Sequence, residues 1–466
     1  MGAIMASVSY WFLSPSLVLA LLGKWKGWDR TKPTPTFDWK AATLDVVIPA
    51  RNEESSIALC LASLFAQDFH VRKVAVIDDG STDRTAQVVR RYVELSGNDL
   101  ELIVRHQSIG KTPGVREQCE RSNADAMLVL DADTVLTDRN YISGVIESLF
   151  KNAGVASACG EVTPFTRRRR RALTRANSML GAIESEMGAE TEKQPSRPSA
   201  LLEFFTVMYR TALYVFLQRI LYDGHMKMFG SRLNPIGCAV AYRTQRLREC
   251  FAYAQPQMGD NLSNSEDIFI GHFFVWKGWR NVQVAGVHCE SVEPTVVRLP
   301  KQMYMWSSSF FQALYYFSAL PLSPFKQVKN WADGLFSVRR KGAPAGAEGR
   351  RIQEQYRAPW GEDYTLRSGR SMGWVDLLSL LEKVTYPLLL LYLAIFHHTF
   401  FWITLGFEAI LATTGVFVVA DSGTRWKSAG MMLAATPIRI LSLGVDLVAT
   451  LRYMWDLATG NRDWKK

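Results

Sequence analysis

Cysteine is scarce in this chain. Six occur among 466 residues, at positions 60, 119, 159, 238, 250 and 289, and no two form a CxxC pair. That excludes a disulfide-built scaffold and speaks against a zinc site, leaving free thiols as the expectation. Charge is missing from two stretches. Residues 1–23 carry none, and residues 384–420 hold no Lys, Arg or Asp and one acid, Glu408. Disorder is excluded as well, because 48% of the residues are hydrophobic and 21% are charged. The length allows roughly three units at about 150 residues each.

The uncharged N-terminal stretch is mostly apolar over residues 8–22, and Lys24, Lys26, Arg30 and Lys32 follow at once. A cleaved signal peptide carries its basic residues ahead of the apolar run. The pattern therefore predicts a membrane anchor over 1–32, with its N-terminus outside and the following chain cytoplasmic. A buried core helix is the plainer alternative. The second uncharged stretch is 37 residues long, and one span needs about 20. It predicts a hairpin with helices near 376–396 and 400–420 and a turn at His397, His398 and Thr399. The plainer alternative is a soluble all-helical core. Residues 431–454 are apolar but contain Pro437, Arg439, Asp446 and Arg452. Such charges are costly at mid-bilayer unless they face a protein interior or a wet cavity. The segment reads either as a third span lining a channel or as an interfacial helix. The basic tail (Arg462, Lys465, Lys466) favours the second.

Between residues 44 and 163 short β-rich runs alternate with helical stretches. Strands are expected at 44–49, 74–77, 100–105, 126–130 and near 155–159. Helices are expected at 55–66, 82–95 (started by Ser81), 115–124 and near 141–150. Such alternation implies an α/β, Rossmann-like, mostly parallel sheet with helices on both faces. Ligands of such sheets bind beyond the carboxyl ends of the strands.

Three polar clusters stand at those ends. Pro49, Ala50, Arg51, Asn52, Glu53 and Glu54 follow the first strand, Asp78, Asp79 and Gly80 the second, and Asp131, Ala132 and Asp133 the fourth. Carboxylates there can accept hydrogen bonds from a base or a ribose. An Asp-x-Asp pair leaving a strand can put an oxygen on Mg2+ or Mn2+, which favour carboxylates together with phosphate oxygens. Lys111 opens the third helix and can meet a phosphate there. Each cluster alone is a common turn or cap; their order at successive strand ends carries the weight.

The runs VVIPARNEE, IDDGSTDRT, GKTPG and LVLDADT resemble the nucleotide-sugar half of family-2 glycosyltransferases with the GT-A fold. Downstream, residues 159–162 (CGEV) resemble a Gly-Asp-Val-Arg-like segment, and 234–243 (NPIGCAVAYR) a Gly-rich acceptor-side strand. Ser265, Glu266 and Asp267 resemble the Glu-Asp motif that supplies a base, and 302–306 (QMYMW) the QxxRW motif. The likeness covers about 44–310, and the hairpin after it fits hyaluronan, chitin and cellulose synthases. Met305 stands where the motif has Arg, so one charge is missing. Arg298, seven residues upstream, would share its face if one helix ran through both, and Pro300 stands between them.

The resemblance implies a cytoplasmic GT-A domain over 33–300 with an insertion at 164–199. An interfacial helix and mobile loop would cover 301–375, and transmembrane and interfacial α-helices 376–466. It implies an inverting transfer from a nucleotide-diphosphate sugar, UDP-linked by preference or GDP-linked, with Mg2+ or Mn2+. Asp133 is the leading metal ligand, with Asp131 beside it and near the ribose. Asp79 is assigned to the nucleotide base with Asp78 in support, and Pro49, Ala50, Arg51 and Glu53 line that pocket. Lys111, Gln302 and Trp306 border the diphosphate. Asp267 is the general base on the acceptor hydroxyl, and Glu266 holds it or meets the acceptor. Plainer readings stand beside these: Asp267 as a helix cap, Glu53 as a first-turn acid, Trp306 as an interfacial anchor, and His225 as a partly exposed bystander.

Arg167–Arg171 are five consecutive arginines, and residues 164–232 hold 12 Lys/Arg against 6 Asp/Glu. No aromatic interleaves the run, so lipid head groups are a better expected partner than nucleic acid, at roughly 1 kcal/mol per basic residue. A solvated linker is the alternative. Residues 184–199 and 343–370 read as flexible, the second as a mobile cytoplasmic loop, and 201–221 as an amphipathic helix. The leading expectation is an integral membrane enzyme extending a polysaccharide, with or without export, and with room for a homo-oligomer or a secretion partner. The alternatives are a single transfer to a lipid-linked acceptor, and a catalytically dead scaffold or nucleic-acid-binding protein.

Overall fold

The computed structural model describes residues 14–27, 38–152, 154–187, 197–259, 262, 265–295, 297–336 and 372–460. The first 13 residues of the expected anchor, most of the 184–199 segment, the 343–370 loop and the basic tail lie outside them. At its centre is an eight-stranded mixed sheet: β1 (Leu44–Ala50), β2 (Lys73–Asp78), β3 (Glu101–Val104), β4 (Ala126–Leu130), β5 (Thr134–Leu136), β6 (Val155–Phe165), β7 (Ala239–Arg243) and β8 (Arg280–Val292). The order is β3-β2-β1-β4-β7-β6-β8-β5. Four pairings are parallel (β1–β2, β1–β4, β2–β3, β6–β8) and three antiparallel (β4–β7, β6–β7, β5–β8). Because β7 runs against both β4 and β6, the carboxyl ends of β1, β2, β4, β6 and β8 share one edge with the start of β7.

Alternate residues of the central strands feed two cores. Val46, Ile48, Val74, Val76 and Leu128 pack under α2 (Ile57–Phe65), α3 (Thr85–Ser96) and α5 (Tyr141–Lys151). Val47, Ile77, Met127 and Val129 pack under α4 (Lys111–Arg121), α10 (Thr244–Met258) and α11 (Glu266–Trp276). With both faces covered, the strands read as continuous apolar runs. Each fully buried Val, Leu or Ile contributes about 1.5–3 kcal/mol.

Helix starts shift where a local turn or a proline sets them. The second helix starts at Thr85 instead of 82, because Asp83 Oδ1 accepts the Thr85 N–H at 2.9 Å. The third starts at Lys111 instead of 115, because a proline in a first turn removes only an N–H that lacks a helical partner anyway. Strand β6 runs on to Phe165 beside β8. The arginine run forms the start of α6 (Arg167–Ala176), capped by Thr166, and α7 (Ser178–Glu186) follows. The insertion is therefore helical where described. Six free thiols are present, five of them buried.

The amphipathic segment is longer than expected: α8 (Arg197–Phe216), a wide turn Leu217–Tyr222, and α9 (Asp223–Phe229). Ala200–Phe229 is long and apolar enough to cross a membrane, yet its polar face is tied to the sheet domain. Gln218 exchanges 2.8 Å hydrogen bonds with the backbone of Val162, and Tyr214 donates to Glu293 at 2.8 Å. Helix α1 (Pro15–Lys26) crosses α9 where a Cβ on Gly23 would lie 2.0 Å from Gly224 O. His225 is buried there, its Nε2 3.2 Å from Ser16 O, and not partly exposed.

Beyond β8 come α12 (Leu299–Tyr316) and α13 (Ala319–Phe336), then α14 (Gly373–Phe396) and α15 (His398–Val419), the expected hairpin turning at His397. Both hairpin helices are long and apolar enough to cross a membrane. Helices α16 (Arg425–Ala434) and α17 (Thr436–Thr459) pass that test together, bent by 52° at their junction. The charges on α17 face partners. Arg439 pairs with Glu408 of α15, and Asp446 accepts from Lys383 of α14 at 2.8 Å.

Candidate active site

The shared strand edge collects the charged residues. From β1, Pro49 and Ala50 lie in register with Ile77 and Asp78 of β2. Arg51 is exposed, and Glu53 accepts from the Ser56 hydroxyl and donates its N–H to Thr85 Oγ1 at 2.8 Å. Burial and the charges of Asp131 and Asp83 raise the Glu53 carboxyl against that hydroxyl's pull. Asp78 is buried and accepts the Ser81 N–H at 2.9 Å.

Asp79 is engaged on both oxygens. Oδ1 accepts from Ile109 N at 3.0 Å and Arg105 Nη1 at 3.2 Å, and Oδ2 from Ser108 Oγ at 2.6 Å and Gly110 N at 2.9 Å. A carboxylate has about four acceptor positions, and all four go to the loop that leads into α4. Burial works to raise this carboxyl, but those hydrogen bonds hold it below the usual range.

That loop presents Lys111. Its Nζ lies 2.6 Å from Asp131 Oδ1 and 2.5 Å from Glu266 Oε1. One lysine thus joins the end of β4 to the start of α11, across more than 130 residues of sequence. Burial alone would lower its ammonium, but Asp131 and Glu266 carry it well above the usual range. Asp131 is pushed up to about 7 by burial and by Asp133 and Glu266, against the pull of Lys111.

Asp133 also stands at about 7, raised by burial and then by Glu53, with Glu293 adding. Its Oδ1 receives the Thr134 hydroxyl at 3.2 Å and the Ser291 hydroxyl at 3.5 Å. Asp267 is raised to about 7 by burial and by Glu266 beside it. The backbone of the 234–238 loop closes on it. A Cβ on Gly237 would lie 2.8 Å from Asp267 Cγ, and Cys238 O accepts the Asp131 N–H at 2.8 Å. Gly237→Ala is accordingly expected to displace the Asp267 carboxylate and lower turnover by about 10²-fold, with nucleotide affinity unchanged. Steady-state kinetics beside equilibrium binding checks it.

Gln302 and Trp306 lie on α12 against Arg210 of α8. The Arg210 guanidinium stacks 4.5 Å from the Trp306 ring centre and donates to Gln302 Oε1. Arg210 Nε sits 3.1 Å from Glu293 Oε2. Neither Arg210 nor Glu293 is among the sequence candidates. Glu293 was within reach of the strand-end rule, since it follows β8 at the same edge. Arg210 has no spacing that links it to the 302–306 motif.

The acids fit a divalent cation of the Mg2+ or Mn2+ type. Among the described residues no three His, Cys, Asp or Glu form a ready cage. One or two carboxylates completed by substrate phosphates is how such ions usually bind, and Asp131 and Asp133 crowd at one strand end with their charge incompletely balanced.

A family model described as Glycosyl transferase family 2 matches residues 45–213. Residues 45–213 form a family-2 glycosyltransferase domain. It contains β1, β2, β4 and their polar ends, the Lys111 loop, α8 and Arg210. An N-acetylglucosaminyltransferase of Azorhizobium caulinodans is 32% identical over 130 residues, covering 27% of this chain and 32% of its own length. A hyaluronan synthase of Streptococcus pyogenes is 31% identical over 130 residues, covering 27% and 30%. A dolichyl-phosphate beta-glucosyltransferase of Trichomonas vaginalis is 28% identical over 137 residues, covering 27% and 42%. The chain spans about a third to a half of the length of the curated relatives it matches. Among solved structures, a mannosyltransferase from Pyrobaculum calidifontis in complex with GDP-Man and Mn2+ aligns over 94% of this chain and 98% of its own. Its TM-score is 0.45 at 16% identity.

Proposed function

We propose that the chain is a membrane-embedded inverting glycosyltransferase that moves a sugar from a nucleotide-diphosphate sugar onto a growing polysaccharide. The observation that carries this is the double ion pair of Lys111. It gathers a strand-end aspartate and the acidic start of α11 around one edge, with Asp133, Glu53 and Asp267 beside them. The family-2 domain agrees with it. The donor is a UDP-sugar by preference and a GDP-sugar otherwise. The catalytic domain is cytoplasmic and the chain begins outside.

In this reading Asp267 takes the proton of the acceptor hydroxyl. The freed oxygen forms a bond to the anomeric carbon from the face opposite the nucleotide. The bond from that carbon to the phosphate oxygen breaks, and its electron pair leaves with the nucleoside diphosphate. Asp133, with Asp131, would hold the divalent cation, which neutralises charge on the departing phosphates. Lys111 exchanges part of its pairing with Asp131 and Glu266 for a phosphate oxygen at the start of α4. Asp79 acts through the loop it holds, and Asp78, Pro49, Ala50, Arg51 and Glu53 frame the nucleoside. Glu266 keeps Lys111 and Asp267 in place.

The acceptor side leads toward the helices. A cavity of about 510 Å3 is lined by Tyr222, Arg232 and Asn234 on one side and Glu382, Lys383 and Arg439 on the other. Asn234 lies three residues from Gly237, which touches Asp267. A cavity that sets these polar groups among apolar walls such as Phe216, Leu221 and Phe310 suits a sugar chain. It suits equally the head of a lipid-linked acceptor, the second reading. Incubating the purified chain with UDP- and GDP-sugars and Mg2+ or Mn2+ separates them: a polymer supports the first, one sugar on extracted lipid the second. No nucleotide release with any donor refutes both and favours an inactive scaffold.

A further inference from the structure

Arg210 is wholly buried. Its Nη2 donates to Gln302, and Trp306 lies under its plane. The guanidinium still has idle donors. Among the described residues Nη1 has no hydrogen-bond partner, and Nε, though 3.1 Å from Glu293 Oε2, donates to none either. A buried cation with two idle donor nitrogens is costly to the protein unless something else receives their hydrogens.

What surrounds it says what that is. Glu293, its ion partner, adds to the negative field at Asp133. Thr206 and Val207, one turn earlier on α8, line a cavity of about 550 Å3 together with Glu293, Ser55 and Ser56. Arg210 does not itself line that cavity; its ion partner Glu293 does, and Val292 before it donates its N–H to Asp133 O at 3.3 Å, so Glu293 joins Arg210 to the acids proposed to hold the cation. The planar fork matches phosphate oxygens bidentately. Meanwhile Met305, the neighbour of Trp306, brings no charge to the same region of α12.

We propose that Arg210 supplies from α8 the positive charge that position 305 lacks, binding the diphosphate of the leaving nucleotide while Gln302 and Trp306 hold its guanidinium in plane. This rests on the nucleotide-sugar reading. It makes the diphosphate site depend on how α8 docks against the sheet domain.

The test compares nucleoside diphosphate with monophosphate. UDP, UMP, GDP and GMP are titrated with Mn2+ into the wild-type chain and into Arg210→Lys, Arg210→Met and Arg210→Met/Met305→Arg. Expected is a loss of diphosphate affinity of about ten- to a hundred-fold in Arg210→Met and a smaller loss in Arg210→Lys. Monophosphate affinity stays unchanged, the melting temperature falls in Arg210→Met because Glu293 loses its buried partner, and the double variant recovers part of the lost affinity. Should Arg210→Met fail to fold, Arg210→Lys keeps the charge and removes the fork. Wild-type diphosphate affinity in a folded Arg210 variant overturns the proposal. So does an equal loss for both nucleotides, which marks a purely structural arginine. A wild-type chain that binds neither diphosphate overturns the nucleotide-sugar reading itself.

Discussion

Replacing Asp267 by asparagine is expected to lower sugar transfer by about 10²–10⁴-fold and to leave nucleotide affinity and melting temperature as they are. Asparagine keeps the shape of the side chain against Gly237 but cannot take a proton. The environment adds a pH signature. Burial and Glu266 hold the Asp267 carboxyl at about 7, so the unprotonated form that acts as base grows as pH rises through 7. Below that value the rate should fall toward tenfold per pH unit. Read at saturating Mn2+, which keeps Asp131 and Asp133 ionised and draws the Asp267 carboxyl down from its cation-free value, the acid limb lies below pH 7 and belongs to Asp267. The small residual rate of Asp267→Asn should lack it. A variant with wild-type turnover, or with the limb intact, removes Asp267 from the role of base.

Asp133→Ala is expected to have an effect of similar size by another route. Its carboxylate is tethered by two hydroxyls at 3.2 and 3.5 Å and faces Glu53 and Glu293. Charge stabilisation by a bound cation is worth several kcal/mol, and each 1.4 kcal/mol is tenfold in rate, so a loss of about 10³-fold or more follows. Mn2+-dependent binding of nucleoside diphosphate should vanish with it, while the fold persists because the side chain takes no part in either core. Transfer that survives this substitution, or survives a chelator in the wild type, contradicts the assignment. Asp267→Asn and Asp133→Ala differ in the readout: the first keeps the nucleotide and the second loses it.

The sheet and its working edge were legible in the residues. Val46 to Ile48, Val74 to Ile77 and Ala126 to Leu130 are continuous apolar runs, as strands buried on both faces must be. The acids that follow them had nowhere else to go. Helix starts were less legible. The third helix begins four residues ahead of 115, because Pro113 is harmless in a first turn. Asp83, two residues ahead of Thr85, delayed a helix that its composition would have begun at 82. The ion pairs of Lys111 join residues far apart in sequence, and no periodicity announces such a meeting. Asp79 shows a different limit. Its position at a strand end suggested contact with a base, but whether a carboxylate there faces a ligand or a loop depends on the loop, and here two backbone N–H groups, the Ser108 hydroxyl and the Arg105 guanidinium of the 105–110 segment fill every acceptor position. Arg210 was hidden for a simple reason. In a helix expected to be amphipathic, an arginine reads as part of the polar face until Gln302, Trp306 and Glu293 are seen around it.

The charges in the C-terminal helices follow the same rule. Arg439 and Asp446 made 431–454 ambiguous as a span, and their partners Glu408 and Lys383 sit on the two helices of the hairpin. Pairing turns both charges toward the bundle interior, where the cost of carrying them through an apolar layer is least.

One measurement reaches the centre of the account: electron paramagnetic resonance of Mn2+ with the full chain, titrated with UDP and with GDP. Free Mn2+ should be captured only when one of these nucleotides is present, and the capture should disappear in Asp133→Ala. Mn2+ that stays free with both nucleotides, or is captured as well by Asp133→Ala as by the wild type, would mean that the acids at this strand edge do not form a cation-held nucleotide site.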